Sequence, residues 1–199
     1  MARRTWVLAG CGLSWLVSVA AGARIVWDYQ TTPGASATAP LRWPAASRVA
    51  PAPDRFTLVL IAHPHCPCTR ASVTELARLM ARLRGRVSAH VLVYRPREFP
   101  AGWEHTDVWS GAERIPDVAV HADVDGREAA RFGAVTSGQV LLYDASGRRR
   151  FDGGITATRG HAGESTGEAR IAALVEGRAE EEAGTRVFGC ALGISPRGE

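Results

Sequence analysis

The sequence predicts an α/β domain, a central mixed β-sheet flanked by helices, carried behind one N-terminal transmembrane helix. Three observations predict it. An apolar run without helical spacing leads through a cysteine-bearing loop into an amphipathic helix and then a second apolar run, which reads as a right-handed βαβ unit with parallel strands. Further on lies a clear β-hairpin, whose strands must be antiparallel. A charge-free stretch opens the chain.

That stretch is "WVLAGCGLSWLVSVAAGA", Trp6 to Ala23, with Arg3 and Arg4 before it and Arg24 after it. Its length is close to the lower limit for crossing a bilayer, and the two leading arginines place the amino terminus in the cytoplasm. Residues 1–30 are therefore read as a membrane anchor. "AGA" at Ala21 to Ala23 keeps a cleaved signal peptide open as the alternative. "LAGC" at Leu8 to Cys11 resembles a lipobox but comes too early, with most of the apolar run still to follow. Either way the remainder of the chain is exported.

Residues 31–53 shift to Ala, Pro, Ser and Thr and read as an extended linker. The folded domain is expected over 54–180. "FTLVLIA", Phe56 to Ala62, is a buried strand. Val73, Leu76, Ala77, Met80 and Leu83 recur at three- and four-residue steps, so a helix follows and stops at Gly85. "VSAHVLVY", Val87 to Tyr94, is the second strand. "REFPAGWEHTDVWSGAERIP" reads as loop with a helical turn, "DVAVHADVDG" as a short strand and "REAARFGA" as a short helix closing at Gly133. Gln139 to Tyr143 pairs with Arg148 to Asp152 across "DASG", and residues 168–178 form a last helix. The tail, 181–199, holds Cys190 in "RVFGCALG".

Composition is that of a globular protein, 46% hydrophobic and 22% charged. The net charge of +4 comes from 24 basic residues scattered among 20 acids, without a basic block interleaved with aromatics, so no nucleic-acid partner is expected. No Walker loop, G-x-G-x-x-G or G-x-S-x-G is present, and the residues call for no cofactor.

The chemistry concentrates in "HPHCPCTRAS", residues 63–72, which uses two of only four cysteines. Disulfide exchange requires a thiolate that is both stabilised and reachable. A cysteine at the first turn of a helix gains from free N–H groups and the positive end of the dipole. Cys66 stands there, Pro67 suits the first helical position, and His65 adds charge when protonated. Cys66 is thus the expected nucleophile and Cys68 its resolving partner. Cys190 is a second candidate for the resolving thiol if the tail folds back. A one-residue spacer closes almost no loop, which argues against an inert staple. His63, His65, Cys66 and Cys68 also form H-x-H-C-x-C, ligands suited to Cu(I) or Zn, so a copper carrier is the alternative. His90, His121 and His161 read as structural or surface residues.

The element order and the cysteine pair at a helix start, together with "ADVDGREAARFGA" before the hairpin, resemble the thioredoxin-like superfamily over about residues 54–178. With an anchor and linker in front, the whole is similar to the membrane-anchored TlpA/ResA-like or RedB-like branch. The resemblance implies thiol–disulfide exchange with protein thiols or disulfides at the bacterial inner membrane, on its outer side. Two features depart from the family pattern. Its usual pair is C-x-x-C, and counting back from Leu76 puts Thr69 at the second cysteine position. Its cis-proline before the hairpin is replaced by Gly138 in "TSGQ". A redox-inactive docking domain on the same fold therefore stays open.

If the apolar run is an uncleaved anchor, a reporter fused after Glu199 should be active only outside the cytoplasm and should fractionate with membranes. A soluble mature chain beginning at Arg24 would overturn the anchor while leaving export intact.

Overall fold

Large apolar side chains stand exposed along α1, Ala2–Thr31, among them Trp6, Leu8, Leu13, Trp15 and Ile25. The computed structural model describes residues 2–179 and 183–193 and divides the chain into two units, Met1–Thr32 and Pro33–Glu199. By length and composition the span Arg4–Thr31 can cross a membrane. At the usual rise per residue it is about 42 Å long, more than the hydrocarbon thickness of a bilayer. The helix continues past the predicted apolar run through Arg24 and Asp28, which form an exposed i,i+4 ion pair at 2.9 Å.

The second unit is built on a six-stranded sheet in the order β3-β2-β1-β4-β5-β6. β1 (Phe56–Ala62) lies inside the sheet, which is why its residues are apolar on both faces. It pairs in parallel with β2 (Val87–Arg95), and β2 pairs in parallel with β3 (Val118–Val124). β4 (Gln139–Tyr143) runs antiparallel to β1 and to β5 (Arg149–Gly154), and the two-residue β6 (Ala183–Gly184) adds to β5. The sheet is mixed, as expected. The hairpin turn is closed by Asp144, whose carboxylate accepts the Ser146 and Arg148 N–H groups, and by Gly147 at φ +74°.

Alternation along the strands sends side chains to two cores. On one face Leu58, Leu60, Val91, Val140 and Leu142 meet α2 (Pro67–Arg82), α3 (Asp107–Glu113) and α5 (Thr166–Val175). The amphipathic spacing of α2 places Val73, Leu76 and Met80 on this face. The stretch read as loop with a turn supplies α3, which buries Val108 and Ala112. α5 begins two residues earlier than expected because Ser165 caps it, its hydroxyl accepting the Glu168 N–H at 3.2 Å.

The other face corrects the reading of residues 31–53. The short helix α4 (Arg127–Arg131) and Leu192 of the tail cover part of it, and the Ala/Pro-rich segment completes the cover instead of extending freely. Ala39 and Val49 are buried with Val59, Ile61, Leu141, Tyr143 and Phe132, and Trp43 packs edge-on against Phe132 and Tyr143. Backbone bonds fix the segment at Trp43 to Gly147 and at Arg149 to Leu41. Glu128 on α4 accepts from the Ser47 hydroxyl and the Arg48 N–H. Composition hid this because the burial comes from a few small residues and one tryptophan, while the sheet supplies the rest of the apolar surface. His90, on β2, bonds both His121 on β3 (3.0 Å) and the Ala50 carbonyl, which ties the same segment to the sheet edge.

Gly133 marks where the segment comes closest. It has φ +66°, and a Cβ there would lie 2.5 Å from the Thr38 carbonyl oxygen. Gly133→Ala should therefore lower unfolding free energy by about 1–3 kcal/mol. Limited proteolysis should then cut within residues 33–53 well before the rest of the domain.

Candidate active site

The carboxyl end of β1 delivers the chain into a tight loop before α2. The Cys66 N–H donates to the His63 carbonyl (3.1 Å), and the His63 N–H donates to the Thr69 hydroxyl (3.2 Å). Cys66 is the N-cap of α2 in extended conformation, and Pro67 occupies the first helical position. Cys68 follows within the first turn. Both cysteines are buried, at 2% and 5% exposure, whereas His65 and Pro67 are exposed.

Two distant segments converge on Cys66. The first is the loop before β4, where the Ser137 hydroxyl stands 3.5 Å from the Cys66 sulfur. The second is the C-terminal tail, where the Cys190 and Cys66 sulfurs approach to 2.7 Å although 124 residues separate them. No disulfide joins Cys66, Cys68 and Cys190 in this structure. The tail is held there by one antiparallel bridge and the hydrogen bonds around it. Thr136 and Ala191 form an antiparallel bridge, the Ser137 N–H donates to the Cys190 carbonyl (2.9 Å), and the Cys190 N–H donates back to the Ser137 hydroxyl (3.0 Å). The Leu192 N–H donates to Val135, and the Arg159 guanidinium donates to the Gly189 carbonyl at 2.6 Å.

These contacts divide the three thiols electrostatically. A hydrogen bond from the Cys68 thiol, helped by those from Cys190 and Ser137 and by the Thr69 N–H, outweighs burial and holds Cys66 down at about 3. Cys68 is pushed upward by donating to Cys66 and by its own burial. Cys190 is raised to about 11, first by burial and then by the bond to Cys66. The arrangement is one thiolate with two thiol donors, and the thiolate is Cys66.

His65 tilts against the Trp103 ring, with centroids 4.6 Å apart. Burial lowers the pKa of His63, and the Cys66 thiolate opposes that shift. His63 also stacks on Tyr94. Gly138, at φ +84°, donates its N–H to the Ile61 carbonyl at 2.7 Å and so joins the hairpin to the end of β1. As for the copper alternative, no three His, Cys, Asp or Glu side chains are grouped to hold a metal ion among the described residues. Sequence reasoning missed Ser137 and Arg159, since a serine beside glycine and an arginine in a Gly-rich loop carry no signal without the tail's position.

The topology now decides the fold: a β1-α2-β2 unit, an antiparallel hairpin beside β1, and a last helix on the α2 face, with the cysteines at the start of α2. The fold is thioredoxin-like. Solved structures share the architecture of this chain. A hypothetical protein from Sinorhizobium meliloti 1021 superposes with a TM-score of 0.62 at 20% identity, covering 82% of this chain and 98% of that one. An uncharacterized conserved protein from Geobacillus kaustophilus gives 0.55 at 17% identity, over 84% of this chain and 95% of that one. A secreted disulfide oxidoreductase from Mycobacterium tuberculosis is more distant, at 0.43 and 15% identity over 62% and 81%. The chain matches no family model and no curated protein.

With Cys66 at about 3, ultraviolet thiolate absorbance of the reduced chain should show one thiolate across the whole range from mildly acidic to neutral pH. Cys68→Ala removes the largest stabilising bond and should move that titration upward by at least about one unit. Ser137→Ala should move it in the same direction by less. An unchanged titration in Cys68→Ala would show that the two sulfurs are not coupled.

Proposed function

We propose that the chain is a thiol–disulfide oxidoreductase of the TlpA/ResA-like or RedB-like kind. It is anchored in the bacterial inner membrane by α1, and its domain lies on the outer side. The observation that carries this reading is the Cys66 sulfur, set at a helix N-cap and surrounded by three donors that favour its thiolate. A structural cysteine has no use for that stabilisation, and an exchange nucleophile requires it. The apolar surface of α1 and the arginines before it support the location.

In the exchange, the Cys66 thiolate attacks one sulfur of a partner protein's disulfide. A Cys66–partner bond forms, the partner's S–S bond breaks, and its other sulfur leaves as thiolate. Cys68, after losing its proton to the departing thiolate, attacks the Cys66 sulfur. A Cys66–Cys68 bond forms and the partner's second sulfur is released. Two electrons pass to the partner, and the reverse sequence returns them. The short C-x-C ring is strained, so the oxidised pair is readily reduced again.

Cys66→Ser should abolish exchange with a protein disulfide. Cys68→Ser should accumulate a mixed disulfide visible on a non-reducing gel, while Cys190→Ser should keep turnover. If Cys190→Ser traps the intermediate and Cys68→Ser turns over normally, the resolving role belongs to Cys190.

A further inference from the structure

The tail raises a geometric conflict. Cys66 is only 2% exposed, and the segment that closes it off carries its own cysteine to the attacking sulfur. The strip formed by Val135, Thr136 and Ser137 has its backbone groups turned to that segment: the Val135 carbonyl and the Ser137 N–H are both used by residues 190–192. One strip of backbone can pair with one extended peptide at a time. A partner that brings its sulfur to Cys66 along this strip has to displace the tail first.

The fit of the tail also shows what the strip accepts. Val187, Phe188 and Leu192 are buried on either side of Cys190 and act as apolar anchors. Gly189, immediately before the cysteine, lies against Ser137. A Cβ on Gly189 would fall 1.8 Å from the Ser137 carbonyl oxygen and 2.8 Å from its carbon, both backbone atoms that cannot swing aside. In this register the residue before the cysteine must be glycine. Arg159 reinforces the register by donating to the Gly189 carbonyl.

We propose that residues 187–192 are an internal occupant of the docking strip over Cys66. Ser137 selects glycine before the cysteine both in the tail and in the partner segment that replaces it. The partner is thus a protein with an extended, apolar-flanked Gly-Cys segment, not a small thiol. This rests on the oxidoreductase reading for the meaning of Cys66, but the occupancy of the strip stands on geometry alone. It also explains why Cys68 is the resolving thiol: while a partner is docked, Cys190 is displaced from Cys66.

The test uses the full chain in detergent and a fluorescent peptide of the tail, TRVFGSALG, with serine at the cysteine position so that binding involves no thiol chemistry. In wild type the tail competes, and the peptide should bind weakly. Gly189→Ala should expel the tail, tighten peptide binding at least about tenfold and speed alkylation of Cys190. Leu192→Ser, which removes a tail anchor without touching the strip, should act in the same direction. The peptide TRVFASALG should bind Gly189→Ala at least about tenfold more weakly than TRVFGSALG does. Equal affinity of TRVFGSALG for wild type and both variants, or equal affinity of the two peptides, would overturn the proposal. Failure of the oxidoreductase reading would instead appear as a wild-type chain, and a Gly189→Ala chain with its tail expelled, that exchange no protein disulfide, with peptide binding unaffected.

Discussion

A buried anion at Cys66 is the constraint on which the rest of the site depends. A thiolate at 2% exposure has almost no water, and a low-dielectric setting penalises any charge left without donors. The helix terminus supplies backbone N–H groups but is not sufficient alone. The remaining donors come from three parts of the chain: Cys68 from the first turn of α2, Ser137 from the loop before β4, and Cys190 from the tail. The sheet order makes this possible. β4 lies directly beside β1, so the loop entering β4 and the loop leaving β1 meet at the same sheet end. The thiolate is therefore a property of the assembled fold more than of the ten residues around it.

Gly138 and the tail explain each other. The resemblance places a cis-proline at this position, yet the glycine here has φ +84°, which a proline ring cannot adopt, and uses an N–H that proline lacks. A side chain would also crowd the Phe188 carbonyl, 3.3 Å from where its Cβ would stand. The bare backbone at 138 lets the tail pass close over the strip, so the departure from the family pattern belongs with the presence of Cys190. Gly189 repeats the logic from the other side. Two glycines, one on each chain segment, allow two backbones to approach where side chains would hold them apart.

What the sequence shows and what it hides follow from the range of the interactions. The strands, α2 and the hairpin were legible because their periodicities are local, and the thioredoxin-like order came from reading them in succession. Cys66 was legible as the helix-start cysteine for the same reason. The packing of residues 33–53 was not, since Ala39, Trp43 and Val49 are covered by a distant sheet face on which α4 is only five residues long. The surroundings of the two loop histidines were not legible either. The loop sets His65 against Trp103 and stacks His63 on Tyr94, contacts that no spacing rule predicts. Ser137 and Arg159 gain their roles from the tail, 53 and 30 residues away, and no spacing rule links them.

The tail is held firmly enough to have one position and weakly enough to leave it. Besides the Cys190 thiol bonded to Cys66, five hydrogen bonds fix residues 187–192: those from Gly34, Ser137 and Arg159 to the tail's carbonyls and those from Cys190 and Leu192 to the strip. At about 1 kcal/mol each they contribute about 5 kcal/mol, and burying Val187, Phe188 and Leu192 contributes about 6 kcal/mol more. Ordering six residues costs about 9 kcal/mol at about 1.5 kcal/mol each. The difference is about 2 kcal/mol, to which the charge-assisted Cys190–Cys66 bond adds about 1.5–3 kcal/mol, so the tail is held by only a few kcal/mol. A competing segment with the same anchors gains nearly what the tail loses, so exchange between them needs little driving force. Cys66 can thus be both shielded from adventitious oxidants and available to a partner that carries a matching strand.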